Sequence, residues 1–289
     1  MIKTILVPLL GDKLDESVLG FAYAAAAQFR SHIHVLHVGR NPVDDVLRLT
    51  TGDGFITREV WNEVERGIRR RRESARECFD RFCKARAIQV CDAPKAMSTP
   101  SASWQQVEGN LATEVGMQAR FHDLTVVGRA DDTSGFTPRE LGDILVRSGR
   151  PMLIVSDTKA APKAFETVAV GWKDTLEAAH MMTAAMPMLE AAKRVVVLIA
   201  SEHSDASAYG QYAKRLTAEL KWHGIEPEIR HLAPGAVPVA EALVDAANKA
   251  GADLLVLGGY GHSRAKELVF GGVTRYMLET ANFPALIVH

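Results

Sequence analysis

Short apolar runs alternate along this chain with longer stretches in which apolar residues recur at helical spacing. Residues 2–10 are almost uninterruptedly apolar and stop at Gly11-Asp12, which predicts a strand buried on both faces. Val18, Phe21, Ala22, Ala25, Ala26 and Phe29 follow at i, i+3, i+4 and i+7, the signature of a helix lying on a sheet, with Asp12 or Asp15 as its cap. His32–Val38 predicts a second strand, and strand, helix and strand in that order imply a right-handed parallel crossover. Asn41-Pro42 breaks the chain. Val60, Val64, Ile68, Ala75, Cys78, Phe79 and Phe82 then predict one long helix with a buried stripe. The pattern places a third strand at Ala87–Cys91, a helix over 103–120, a fourth strand at Asp123–Gly128, a helix over 138–149 and a fifth strand at Pro151–Val155.

The pattern then restarts. Thr167-Val168-Ala169-Val170-Gly171 echoes Thr4-Ile5-Leu6-Val7-Pro8, and Val195–Ile199 echoes the second strand. Glu228–Leu232 is a third strand, followed by a helix with Ala240, Leu243, Val244 and Ala247 on one face. Asp253–Gly258 echoes Asp123–Gly128, and Pro284–Val288 echoes Pro151–Val155. The reading is an α/β chain of two tandem units: residues 1–157, a polar linker at 158–166, and residues 167–289.

The two units differ after their fourth strand. In the second, Gly258 is followed after two residues by Gly261, and after nine more by Gly271-Gly272, which opens a helix with Val273, Tyr276 and Met277 on its apolar face. Glycines let a backbone approach a ligand closely, and a helix start offers unpaired N–H groups to an anion. The Walker A spacing is absent, and Arg264 stands where a dinucleotide fingerprint needs its third glycine. His262, Ser263 and Arg264 add donors, the arginine being suited to a bidentate phosphate contact. The plainer alternative is a tight strand-to-helix loop and nothing more. In the first unit Gly128 runs into Arg129-Ala130-Asp131-Asp132, and two carboxylates would repel a phosphate.

Gly258-x2-Gly261-x9-Gly271, with the strand before it and Pro284–Val288 after it, resembles the nucleotide loop of the universal stress protein family. Both units follow that family's layout. The resemblance implies two five-stranded parallel sheets of the adenine-nucleotide α-hydrolase-like (Rossmann-like) type, paired through their fifth strands. It also implies ATP or another adenine nucleotide, with or without magnesium, bound in the second unit. The site would comprise Gly171, Trp172, Lys173, Gly258, Gly261, His262, Ser263, Arg264, Gly271, Gly272, Val273 and Thr274. Two departures stand out. Gly272 replaces the family's Ser or Thr, with Thr274 as a nearby hydroxyl. Lys173, preceded by Trp172, takes the place of an Asp that ends the first strand in nucleotide-binding members. The expected role is a stress-response protein that acts by binding; an interaction scaffold without nucleotide and a slow ATPase are the alternatives.

Composition narrows the field. Hydrophobic residues make up 47% and charged ones 24% of the 289 residues, with a net charge of −1, so no overall basic field points to nucleic acid or an anionic membrane. No apolar run reaches the roughly 18 residues of a membrane span. Cys78, Cys83 and Cys91 crowd one region and cannot all pair, which fits a reduced, cytoplasmic setting. Arg66 and Arg69–Arg72 are interleaved with Glu63, Glu65, Glu73 and Glu77, as on a salt-bridged solvent face. His32 and His34 share one face of a strand, with His37 on the other; two imidazoles without a third ligand read as ordinary strand residues rather than a zinc site. No nucleophile elbow is present, and neither first-strand loop matches that of the ATP pyrophosphatases. A single chain and a homodimer of such chains are both compatible with the sequence.

Overall fold

The computed structural model describes residues 1–39, 42, 57–92, 98–130, 135–200, 206–259 and 271–289. The first half supplies β1 (Thr4–Pro8), β2 (His32–Gly39), β3 (Gln89–Val90), β4 (Ser101–Glu108), β5 (Leu124–Gly128) and β6 (Met152–Val155). The second supplies β7 (Thr167–Gly171), β8 (Arg194–Ala200), β9 (Glu228–Leu232), β10 (Leu254–Gly258) and β11 (Ala285–Val288). They form one 11-stranded sheet in the order β3-β4-β2-β1-β5-β6-β11-β10-β7-β8-β9. Every pairing within a half is parallel. The halves join where β6 meets β11 antiparallel, with Leu153 opposite Leu286 and Ile154 opposite Ala285. All four residues are buried, so the join also removes two apolar strand edges from solvent.

Helices cover both faces. On one lie α1 (Asp15–Phe29), α2 (Arg58–Ala85), α5 (Leu176–Ala191) and α6 (Ala206–Trp222); on the other lie α3 (Leu111–Ala119), α4 (Pro138–Ser148), α7 (Val239–Lys249) and α8 (Gly272–Glu279). Alternation along the strands feeds both layers. Ile5 and Val7 of β1 face the first layer, and Leu6 faces the second. The long α2 buries Ala75, Cys78, Phe79 and Phe82 along the expected stripe, and its arginines pair with acids as Arg66–Glu63, Arg70–Glu63 and Arg76–Asp80. The segment between the halves is pinned: Phe165 stacks on Phe21, and Lys159 donates to the Ala252 carbonyl while lying over the Phe283 ring.

Three expectations are corrected. The third core strand of the first half is β4, not Ala87–Cys91, which contributes only the two exposed residues of β3. The helix expected over 103–120 begins at Leu111, after Asn110 has accepted a hydrogen bond from Thr113 N–H as its cap. Polar residues hid β4: Ser101, Ser103 and Gln105 alternate with Ala102 and Trp104, and Trp104 packs against the first layer. Neither Asp12 nor Asp15 caps α1. Asp12 instead accepts from Leu14 N–H, and Asp15 turns back to the N–H groups of Leu10 and Gly11.

Candidate functional site

Taking the five long strands of each half in chain order, each half runs 3-2-1-4-5 across the sheet. The connections therefore part company between strands one and four, and the crevice outside their carboxyl ends is where open α/β sheets bind ligands. In the second half that place lies between β7 and β10. Leu257 stands opposite Gly171, so Trp172 and Gly258 leave the sheet side by side. The start of α5 closes the crevice from one face. Thr175 caps it through Ala178 N–H, and a Cβ on Gly258 would stand 3.1 Å from the Glu177 backbone. Glycine at 258 is what lets strand and helix touch there.

Of the expected site residues, Gly171, Trp172, Lys173 and Gly258 sit on these two strand ends, and Gly271, Gly272, Val273 and Thr274 open α8. Gly261, His262, Ser263 and Arg264 lie outside the described residues. Lys173 is exposed. Trp172 packs one part of its ring against the core, yet its indole N–H is buried without a hydrogen-bond partner among the described residues. Such an orphan donor is uncommon in a folded protein and calls for an acceptor. Gly271 caps α8 without any side-chain bond, so the first N–H groups of that helix have no side-chain cap. An added Cβ on Gly272 would meet no heavy atom within 4 Å. Val273 is half-buried, and Thr274 is buried beneath the helix start. The start of α8 offers backbone donors, and the position beside Gly272 is open.

The matching crevice of the first half, between β1 and β5, is filled. Leu10, Leu14 and Phe136 are buried in it, and the cavity left among them measures about 10 Å³, room for a single water at most. Asp15, 4% exposed, accepts from Leu10 N–H at 3.0 Å and Gly11 N–H at 2.9 Å. Its carboxylate occupies the backbone donors of the loop as an external anion otherwise would. Burial, reinforced by the nearby Asp12, pushes the Asp15 carboxyl up to about 7, while the backbone donors pull the other way. Gly11 has a φ of +73°, and a Cβ there would fall 2.0 Å from the Arg71 carbonyl, so α2 lies directly on this loop. Beyond Gly128, Arg129 donates to the Thr280 carbonyl at the end of α8, and Ala130 N–H donates to Leu278. Asp131 and Asp132 lie outside the described residues. The sequence pattern missed Leu14, Asp15 and Phe136 as the plug; the run Leu9-Leu10 continuing beyond the strand was the available signal.

Other chemistry is sparse. Burial pushes the thiols of Cys78 and Cys83 up to about 11, which suits core residues rather than nucleophiles. Among the described residues no three His, Cys, Asp or Glu side chains could hold a metal between them, and no helix is long and apolar enough to cross a membrane.

Comparison with known proteins agrees with this geometry. Residues 154–289 match the model of the universal stress protein family. The fold superposes along its whole length on a universal stress protein from Archaeoglobus fulgidus, with a TM-score of 0.67 at 13% identity over 99% of this chain and 97% of that one. It also superposes on a functionally unknown protein of Pseudomonas aeruginosa, with a TM-score of 0.61 at 16% identity over 99% and 92% of the two chains. Among functionally curated proteins none matches the sequence.

Proposed function

We propose that the second half of this chain, which matches the universal stress protein family over residues 154–289, binds an adenine nucleotide, ATP foremost, in the crevice between β7 and β10. The family match supports a stress-response role. The observation that carries the nucleotide reading is the helix start at Gly271-Gly272, which has no side-chain cap and has room beside Gly272; the buried Trp172 indole N–H at the end of β7, unpartnered among the described residues, is a second donor. The helix N–H groups suit phosphate oxygens, and the indole suits an acceptor on the base or ribose. The first half, with its crevice plugged, serves as a structural partner. In this reading the protein acts by binding, and any hydrolysis of ATP is slow.

Heat-denaturing freshly purified protein and analysing the released small molecules by mass spectrometry tests this directly. About one adenine nucleotide per chain is expected, and Gly261→Val is expected to lose it, because a branched side chain would keep the loop backbone from the phosphates. A clean supernatant, together with no thermal shift in millimolar ATP and magnesium, would overturn the reading. Exposed Lys173, in place of the family's Asp, favours the second reading, an interaction scaffold without nucleotide.

A further inference from the structure

His32 and His34 point from β2 to the same side of the sheet, and the fold brings His122, from the turn after α3, against them. His122 Nδ1 lies 2.8 Å from the Gln118 carbonyl, an oxygen that can only accept, so Nδ1 carries the proton and Nε2 of the neutral ring is bare. That bare nitrogen stands 3.1 Å from His34 Nδ1. Two imidazole nitrogens on one tetrahedral zinc are about 3.3 Å apart, given Zn–N bonds of about 2.0–2.1 Å. The pair is therefore a small widening away from the spacing of two ligands on one ion. A backbone carbonyl fixing the far nitrogen of a ligand is the arrangement that orients metal-binding histidines. His34 has its own outer partner in the Gln105 side chain, which is hydrogen-bonded to the ring.

We propose that His34 Nδ1 and His122 Nε2 form a two-histidine site for a borderline transition-metal cation, Zn²⁺ or Cu²⁺, with water completing the coordination. Loading needs no net loss of a proton: the neutral His34 ring carries its proton on Nε2 instead of Nδ1, and Gln105 offers the acceptor. His32 stays outside the site, because Ser101 and Ser103 hold its two ring nitrogens at 2.8 Å each. A site with only two protein ligands exchanges its ion readily and suits a metal-responsive role rather than a permanent structural one.

Zinc titration of the untagged full-length protein against a chromophoric chelator tests the proposal, with Cu²⁺ electron paramagnetic resonance as the second readout. One equivalent of zinc per chain at micromolar affinity is expected. His34→Gln and His122→Gln are each expected to weaken it at least tenfold, and His32→Gln to leave it within about threefold. The copper spectrum should show coupling to two nitrogens in the wild type and one in either variant, which separates ligand loss from misfolding. No zinc bound at 100-fold chelator-free excess would overturn the proposal, as would affinity unchanged in both variants. A loss in His32→Gln equal to that of the other two would replace the two-histidine site with a three-histidine one.

Discussion

The two halves share a strand order and end their first and fourth strands at corresponding crevices, yet they build them differently. In the first, Leu10, Leu14 and Phe136 fill the space, and Asp15 takes the N–H groups of the loop. In the second, Trp172 and Gly258 leave the sheet side by side, α8 opens on Gly271 and Gly272, and the Trp172 indole N–H has no partner among the described residues. The first half spends its post-strand residues on the neighbour, with Arg129 and Ala130 binding carbonyls at the end of α8. The difference teaches that a duplicated fold keeps its frame through the sheet and its function through the loops. The frame needs only buried apolar strands and a parallel register. The site needs space and unsatisfied donors, and either can be removed by filling one crevice.

The largest expected effect comes from unplugging the first half. Phe136 is 2% exposed, and Phe136→Ala should cost about 3–5 kcal/mol in denaturant unfolding. If the plug alone separated the halves, the variant would gain a second ATP site. Calorimetry should instead still count at most one, because the Asp15 carboxylate remains on the loop donors. A second site would collapse the comparison to one side chain. Next comes Asp15→Asn. An acid whose folded value is raised holds its proton in the folded state at pH values where the unfolded chain has lost it. Stability therefore falls as pH rises from about 4 through about 7. The span from 3.8 to about 7 sets a ceiling of about 4 kcal/mol on that loss. Asn keeps an acceptor for one loop N–H and cannot ionise, so the variant's thermal midpoint should lose this slope and gain on the wild type at pH 8. A wild-type slope persisting in Asp15→Asn would place the pH dependence elsewhere.

Much of this was legible from hydrophobic spacing alone. Fully buried parallel strands read as continuous apolar runs, so β1, β2, β5, β6, β7, β8, β10 and β11 were marked by runs such as Thr167–Gly171 and Asp253–Gly258. Where a strand lies near the sheet's outer edge, one face is half-wet and the run breaks up. That is why Ser101, Ser103 and Gln105 disguised β4, and why Gln89–Val90 looked more important than it is. At the proposed site, glycine spacing made Gly258, Gly271 and Gly272 candidates, because only backbone conformation and access are at stake there. The plug was not announced. Leu14 and Phe136 are ordinary apolar residues in sequence, and only the chain's path brings them together with Gly128. Asp15 read as a helix cap for the same reason: its position before an apolar stripe fits a cap, and only the turn at Gly11 aims it backwards. His122 joined His34 through tertiary contact across 88 residues, a separation no local pattern reports.

The smallest expected effect is the one that sharpens the comparison most. Gly272 departs from the family's hydroxyl residue, and the question is whether the departure is structural or functional. An added Cβ at this position would meet no heavy atom within 4 Å, and the residue is exposed at the first turn of α8, so no packing requires glycine. Gly272→Ser should therefore fold as well as the wild type, or better by a few tenths of a kcal/mol, since glycine in a helix is worse than alanine by about 0.5–1 kcal/mol and serine lies between them. If the crevice holds a phosphate, the new hydroxyl adds one hydrogen bond of about 0.5–1.5 kcal/mol, which tightens ATP binding by up to roughly tenfold. If the crevice is only a turn between strand and helix, stability rises by the same few tenths and ATP affinity does not move. Thermal unfolding measured with and without ATP separates the two, because only the ligand-dependent part of the shift reports on the hydroxyl. A Gly272→Ser protein that gains this stability with an unchanged ATP response would mean that the second half, like the first, keeps the frame without a ligand.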